Sequence, residues 1–222
     1  MTLVLAQSAD GKISDFQRSP ARFGSPADRV HLEKQISEVD GVLIGAGTLR
    51  AYGTSLPLGE VWQNRRRGQN LPPQPLHLIC SRSADLDPRL PFFQQPLPRW
   101  LLTLNPEGWP DGGDYPRHFE RVLIFPPEGE NLPWSLILPK LKALGLNRLA
   151  VLGGAELVTS LVAGDWLDEI WLTVCPYLLG GTTAPTFLEG SGFTEAQARH
   201  LQLLEVEQRD DEVFLHYQCQ KN

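Results

Sequence analysis

The stretch VLGGAELVTSLV, Val151 to Val162, decides the fold. An apolar run ends at two adjacent glycines, and apolar residues then return at helical spacing. The order is strand, glycine pair, helix. Two readings of that order stand side by side. One is a tight strand-to-helix turn. The other is a bed for an anion, because a helix start carries about half a positive charge and unpaired N–H groups. Glycines let a pyrophosphate approach those groups without obstruction by Cβ. On the second reading the bed is Gly153, Gly154, Ala155, Glu156 and Leu157, with the Glu156 side chain turned away.

Upstream, short apolar runs recur: Thr2–Ser8, Gly41–Gly45, Leu76–Cys80, Arg99–Leu104, Arg121–Phe125 and Arg148–Leu152. They are continuous rather than alternating, which indicates strands covered on both faces of a mainly parallel sheet. Ser25 and Pro26 mark a helix start, with Val30, Leu32, Ile36 and Val39 as its apolar face. From Arg121 to Gly153 the chain reads strand, helix, strand, a βαβ unit. Pro139 moves the expected start of that helix past Trp134. Downstream the pattern alternates over Asp168–Pro176, and two further strands flank Arg209-Asp210-Asp211. That predicts an antiparallel hairpin at a sheet edge, with Glu205, Glu207, Arg209 and Asp210 guarding it. The fold class is therefore α/β. Gly53–Pro75, with its Arg65-Arg66-Arg67 triplet, and Asn105–Pro116 read as irregular loops.

The totals narrow the function. A chain of 222 residues with 41% hydrophobic content can bury a core, and residues 1–222 read as one domain. A net charge of −6 argues against nucleic acid as the main partner. Cys80, Cys175 and Cys219 have no zinc spacing and read as reduced thiols, so no metal site is expected. The start of the chain lacks a basic, apolar leader, and a cytoplasmic protein without membrane contact is expected. The five histidines read as surface or satisfied core residues.

Other strand ends repeat the glycine or hydroxyl pattern. Gly45 and Gly47 precede Thr48, which either meets a phosphate or caps a helix. Arg50 follows it. Ser81 and Arg82 suit an extra phosphate such as the 2′-phosphate of NADPH, or form a solvated turn. Gly180 and Gly181 follow the alternating strand, and Ser8 and Asp10 follow the first strand. Asp10 is a candidate acid, though a carboxyl before Gly11 is more often only a turn former. Ligands of open α/β sheets sit at such strand ends.

Taken together, AQSADGKIS, DGVLIGAGTLRA, SRSADLDPRLPFF and VLGGAELVTSLVAGDWLDEIWLTVCPYLLGG resemble the reductase domain of riboflavin biosynthesis, from Leu3 to Cys219. The resemblance implies a dihydrofolate-reductase-like three-layer sandwich, with a mainly parallel central sheet and a C-terminal antiparallel hairpin. It implies NADPH as cofactor, hydride transfer to a phosphosugar-pyrimidine and a homodimer. Thr48, Ser81, Arg82 and Gly153–Leu157 fall at family cofactor positions, and Ser8 and Asp10 near the nicotinamide and substrate. Arg50, Gly180 and Gly181 join Ser8 and Asp10 as substrate candidates, and no residue is singled out as catalytic. The chain departs from the family at Val4, where a Lys is usual, at Tyr52-Gly53-Thr54, where Asp-Asp-Pro is usual, and at Leu152, where a Glu is frequent. A same-fold reductase of another carbonyl, imine or pterin-like ring, and a nucleotide-binding protein without turnover, remain alternatives.

Overall fold

A computed structural model describes residues 1–105, 117–127, 129 and 131–221. Most of the loop expected at Asn105–Pro116 lies outside the described residues. The chain divides into two compact units, Met1–Leu32 with Val151–Asn222, and Glu33–Ala150.

The first unit carries β1 (Thr2–Ser8), most of α1 (Pro26–Ser37), α5 (Ala155–Ala163), β7 (Glu169–Cys175), β8 (Leu201–Arg209) and β9 (Glu212–Cys219). Its strand order is β1-β7-β9-β8. β1 and β7 run parallel, with Ser8 opposite Cys175. β7, β9 and β8 pair antiparallel, and Asp210 and Asp211 make the hairpin turn. The expected hairpin is therefore present. Leu3, Val158, Leu161, Leu167, Ile170 and Phe214 supply buried apolar surface here. Ser25 caps α1 as anticipated, its Oγ accepting from the N–H groups of Ala27 at 3.0 Å and Asp28 at 3.2 Å. The expected apolar face of α1 needs correction. Val30 is exposed, while His31, Ile36 and Ser37 are buried. His31 packs edge-on to Trp171 at 4.7 Å, so an aromatic contact takes a place that an apolar count gives to Val30.

The second unit carries β2 (Gly41–Gly45), α2 (Ala46–Tyr52), α3 (Glu60–Gly68), β3 (Leu76–Cys80), β4 (Arg99–Thr103), β5 (Arg121–Ile124), α4 (Trp134–Ala143) and the start of β6 (Leu149–Val151). The order is β5-β4-β3-β2-β6. The pairs β2–β3, β3–β4 and β4–β5 are parallel. β2, β3 and β4 are the buried strands that continuous apolar runs predict; β5 ends the order and leaves Ile124 exposed. The strand–helix–strand from Arg121 is present, but β5 and β6 lie at opposite ends of this order.

Two local readings change. α4 begins at Trp134 and carries Pro139 inside it. Burial of Trp134, Ile137 and Leu141 offsets the one N–H that the exposed Pro139 lacks. The second change is α3, which occupies the middle of the stretch read as a loop. Its polar sequence has Glu60 in the first turn and Arg65, Arg66 and Arg67 in the last, the arrangement a helix dipole favours. The triplet is not uniformly solvated, because Arg66 is only 1% exposed. Its guanidinium donates to the carbonyls of Ser37 at 2.9 Å, Val39 at 2.7 Å and Pro72 at 2.7 Å. It thus closes the C-terminal end of α1, whose last carbonyls have no helical partner. Arg65 and Arg67 are exposed and pair with Glu38 and Asn64.

Among the histidines, His77 departs from a satisfied core residue. It is fully buried, Nδ1 lies 2.8 Å from Ser55 Oγ, and Nε2 has no partner among the described residues. Burial, then the charge of Arg99, pulls its pKa down to about 4, so the ring is neutral. The three cysteines are free thiols, Cys80 and Cys175 buried.

Replacing Arg66 by Leu leaves three carbonyls without their donor. At ~1–3 kcal/mol for each buried group left unpaired, the loss partly relieved by water, Arg66→Leu should lower unfolding free energy by roughly 3 kcal/mol. Arg67→Ala should stay within about 0.5 kcal/mol. Urea unfolding at neutral pH measures both.

Candidate functional site

In the first unit the glycine pair leads from β6 into α5. Gly153 sits at φ 100°, a backbone region that side chains rarely enter, so its glycine follows from conformation. Gly154 does not have that reason. Its φ of −84° and ψ of −171° are open to any residue. Gly154 is the N-cap and no side chain caps α5. The first helical bond runs from Val158 N–H to the Gly154 carbonyl at 3.0 Å. The N–H groups of Ala155, Glu156 and Leu157 therefore precede the helical ladder. Ala155 and Leu157 are buried, and Glu156 is exposed. The Gly153–Gly154 peptide is cis.

Ser8 and Asp10 lie where the parallel pair β1 and β7 ends. Ser8 Oγ donates to Asp10 Oδ1 at 2.6 Å and accepts from Lys12 N–H at 2.9 Å. The Asp10 carboxylate also accepts from the N–H groups of Leu179 at 3.1 Å and Gly180 at 2.6 Å. The structure thus brings together Ser8, Asp10 and Gly180, with Gly181 next in the same exposed loop. Further bonds close the clasp: Ala9 N–H to the Tyr177 carbonyl at 2.9 Å, and Ile13 N–H to the Pro185 carbonyl at 3.0 Å. Lys12 Nζ reaches the Ala184 carbonyl at 3.0 Å. The hydrogen bond from Ser8, then those from Leu179 and Gly180, hold the Asp10 carboxyl down from 3.8 to about 2. Asp10 is a loop clamp that stays ionised at neutral pH, which removes it as a general acid.

A second cluster in this unit was missed by sequence reasoning. Glu212, at the start of β9, is 3% exposed. It accepts from Ser25 N–H at 2.9 Å, from Ser25 Oγ, and from Cys175 Sγ at 3.4 Å. Asp28, in the first turn of α1, is hydrogen-bonded to Thr173 of β7. Burial raises the Asp28 pKa, the Thr173 bond opposes this, and the charge of Glu212 adds to the rise. Burial, then Glu212, also pushes the Cys175 thiol up. Among the described residues no basic side chain is paired with Asp28 or Glu212.

In the second unit, Thr48 lies inside α2, not at its cap. The N-cap is Gly45, without side-chain capping, which corrects the capping alternative. Arg50 donates to the Asp85 carbonyl at 2.7 Å, so it braces the loop after β3. Ser81 is buried and its N–H donates to the Leu102 carbonyl at 3.0 Å. The Arg82 carbonyl accepts from Leu104, Asn105 and Thr103, while its side chain is exposed. The structure brings Arg50 to this loop and holds Ser81 and Arg82 at the end of β3. The family departures have local uses. Val4 is buried, and Gly53 ends α2 at φ 69°.

Comparison with known proteins follows the same lines. The model of the RibD C-terminal domain matches residues 1–215. A 2,5-diamino-6-ribosylamino-4(3H)-pyrimidinone 5′-phosphate reductase of Archaeoglobus fulgidus is 28% identical over 193 residues, 85% of either chain. The riboflavin biosynthesis protein RibD of Bacillus amyloliquefaciens is 25% identical over 97% of this chain but only 56% of its own length. This chain thus spans about half of that relative. A pyrimidine reductase-like protein from Corynebacterium diphtheriae superposes with a TM-score of 0.81 at 18% identity, over 100% of this chain and 92% of that one. A deaminase/reductase from Thermotoga maritima gives 0.78 at 19% identity, over 98% of this chain and 56% of that one. At these identities the two structures establish the fold.

The clamp has a pH signature. The folded-state pKa of Asp10 is depressed, so its contribution to stability is full above about 3.8 and is lost as pH falls toward about 2. Asp10→Asn should lower the thermal midpoint at neutral pH. The gap from wild type should close as pH drops through that window, as calorimetry can follow.

Proposed function

We propose, because the chain belongs to the RibD C-terminal domain family, that it is a reductase of riboflavin biosynthesis acting on a ribosylamino-pyrimidine 5′-phosphate. The relatives named as reductases of such a phosphate support the substrate class. The observation that carries the reading is the side-chain-free, uncapped start of α5 at Gly154, a donor set that fits a pyrophosphate. Gly153, Gly154, Ala155, Glu156 and Leu157 are its proposed contacts. Thr48, Ser81 and Arg82 are the proposed contacts for the adenosine end, and the Arg82 cation favours NADPH over NADH. When bound, the reduced nicotinamide supplies hydride to the ribosylamino carbon. Ser8 and Gly180 keep their proposed place on the substrate side, beside the Asp10 clamp. Arg50 and Gly181 stay with them as substrate candidates, Arg50 also bracing its loop.

The same reading includes residues 1–222 as one reductase domain, a cytoplasmic location and a homodimer. Among the described residues no helix is long and apolar enough to cross a membrane. The outer strand β8 exposes Leu203, Leu204 and Val206, apolar surface that a second copy would cover. One observation favours a second reading, a same-fold reductase with a less charged substrate. Val4, buried at 5% exposure, stands where the family places a cation.

NADPH should raise the melting temperature and quench tryptophan fluorescence, and NADH should do so far less. Gly154→Val should weaken NADPH binding by roughly 100-fold or more, since charged hydrogen bonds of ~1.5–3 kcal/mol each are displaced. Unchanged affinity in a folded variant would remove the pyrophosphate from this helix start. Loss of reduced-nicotinamide absorbance with the ribosylamino-pyrimidine phosphate tests the substrate. Absence of turnover with it, alongside intact NADPH binding, selects the second reading.

A further inference from the structure

In the second unit the chain crosses from α2 to α3 through Gly53–Gly59, a stretch with no strand or helix of its own. Side chains hold its backbone. Gln95 takes both main-chain groups of Ser55, accepting from the N–H at 2.9 Å and donating to the carbonyl at 2.9 Å. Gln74 does the same for Leu58, accepting at 2.9 Å and donating at 3.1 Å. Each carboxamide thus stands in for a neighbouring strand. At the start of the crossing, the Gly53 carbonyl accepts from Phe92 N–H at 2.8 Å. One side chain of the crossing reaches the sheet beneath: Ser55 Oγ lies 2.8 Å from His77 Nδ1.

The register fixes what surrounds that ring. Val42 of β2 and Arg99 of β4 are opposite His77 on either side, so the three share one face. Val42 offers no polar group. Arg99 spends its guanidinium on the carbonyls of Leu97 at 3.1 Å, Phe93 at 2.7 Å and Gln95, and lies over the Phe92 ring. Its charge is the one that acts on His77, and Glu120 acts on Arg99 in turn. On α2 and α3, Arg50 is bonded to the Asp85 carbonyl, and Arg66 to the carbonyls of Ser37, Val39 and Pro72. His118 packs edge-on to Phe93 at 5.2 Å. Among the described residues no carboxylate pairs with His77, and its Nε2 is buried without a partner. A neutral imidazole fits this place. Nδ1–H donates to Ser55, and Nε2 keeps a bare lone pair, which costs less than a buried N–H without an acceptor.

We propose that His77 is an acid-sensitive latch: as a neutral ring it seats Ser55 and the glutamine-held crossing on the sheet, and once protonated it opens that crossing. The step is proton uptake from solvent. Nε2 uses its lone pair to form an N–H bond, and no other bond changes. The imidazolium then carries a second donor with no acceptor, beside a guanidinium that repels it. It leaves its seat, and Ser55 goes with it. The sheet ladder of β2, β3 and β4 does not pass through the crossing, so the opening is local. The freed segment begins at Gly53, the C-cap of α2, so acid also loosens the end of the helix that carries Thr48 and Arg50.

The sign follows from the ring. Burial, then Arg99, hold His77 at about 4 in the folded chain, against 6.5 when it is free, so the closed crossing is fully favoured above 6.5 and progressively less as pH falls to about 4. Amide hydrogen exchange followed by mass spectrometry between pH 7 and pH 4, corrected for the intrinsic rate, reads this directly. Protection of residues 54–58 should fall by up to tenfold per pH unit below 6.5, and by roughly 300-fold in all, while residues 76–80 of β3 stay protected. His77→Asn keeps a donor for Ser55 and cannot become charged, so its crossing should hold the same protection throughout. Should that variant not fold, imidazole NMR of the wild type carries the test, with His77 taking up its proton only where residues 54–58 lose protection. A slope that survives in folded His77→Asn, a charged His77 under a crossing still protected, or loss of β3 protection in step with the crossing would each overturn the latch.

Discussion

The constraint on which the first unit depends is the parallel pairing of β1 with β7. Parallel neighbours send their C-terminal ends to the same edge, so two loops far apart in sequence leave the sheet together. Ser8 opposite Cys175 is the last step of that register. The Asp10 carboxylate then ties the loops, accepting from Ser8 on one side and from Leu179 and Gly180 on the other. Main-chain groups of the two loops also bond each other here, Ala9 to Tyr177 and Ile13 to Pro185. Positioning of this kind suits chemistry that a cofactor performs and that the protein only aligns.

Much of this was legible in the sequence, for physical reasons that differ by element. β2, β3 and β4 are buried on both faces, so their apolar runs are continuous and their bounds can be read to within a residue. The hairpin was legible because Asp210 and Asp211 interrupt two apolar strands. The α5 start announced itself through Gly153 and Gly154. α3 was hidden because it buries one arginine rather than an apolar face, and because proline and glycine crowd its flanks. Its stability comes from Arg66 bonding to carbonyls at Ser37, Val39 and Pro72, contacts that no periodicity reveals. As a cap, Thr48 was misplaced by three residues because Gly45, the true cap, has no side chain to signal it. The Asp28 and Glu212 cluster was illegible for another reason. Ser25 reads as a cap and Glu212 as the first residue of a hairpin strand, each sufficient in its own segment. Their bond spans a sequence separation of 187, and only the sheet order makes them neighbours.

The departures from the family at Val4 and Gly53 are now structural statements about this chain. Val4 contributes to the core, and a lysine there would bury an ammonium at a cost of several kcal/mol unless paired. Gly53 holds the left-handed C-cap of α2, donates to the Leu49 carbonyl at 2.8 Å and accepts from Phe92 N–H at 2.8 Å. An aspartate at this φ would be strained. These positions are not vacant slots awaiting their family residues, since each is already used for packing or for ending a helix.

That reassignment sharpens the chemical question in the first unit. Burial and a second carboxylate raise the Asp28 pKa, while hydrogen bonds lower that of the exposed turn residue Asp10. Asp10 is solvent-exposed, supplied with N–H donors and held ionised. Asp28 is set among Thr173, Ser25 and Glu212 with no cation paired to it among the described residues. Two aspartates in one unit thus diverge through their surroundings alone, the first held down by the donors of the loops it fastens and the second pushed up by burial.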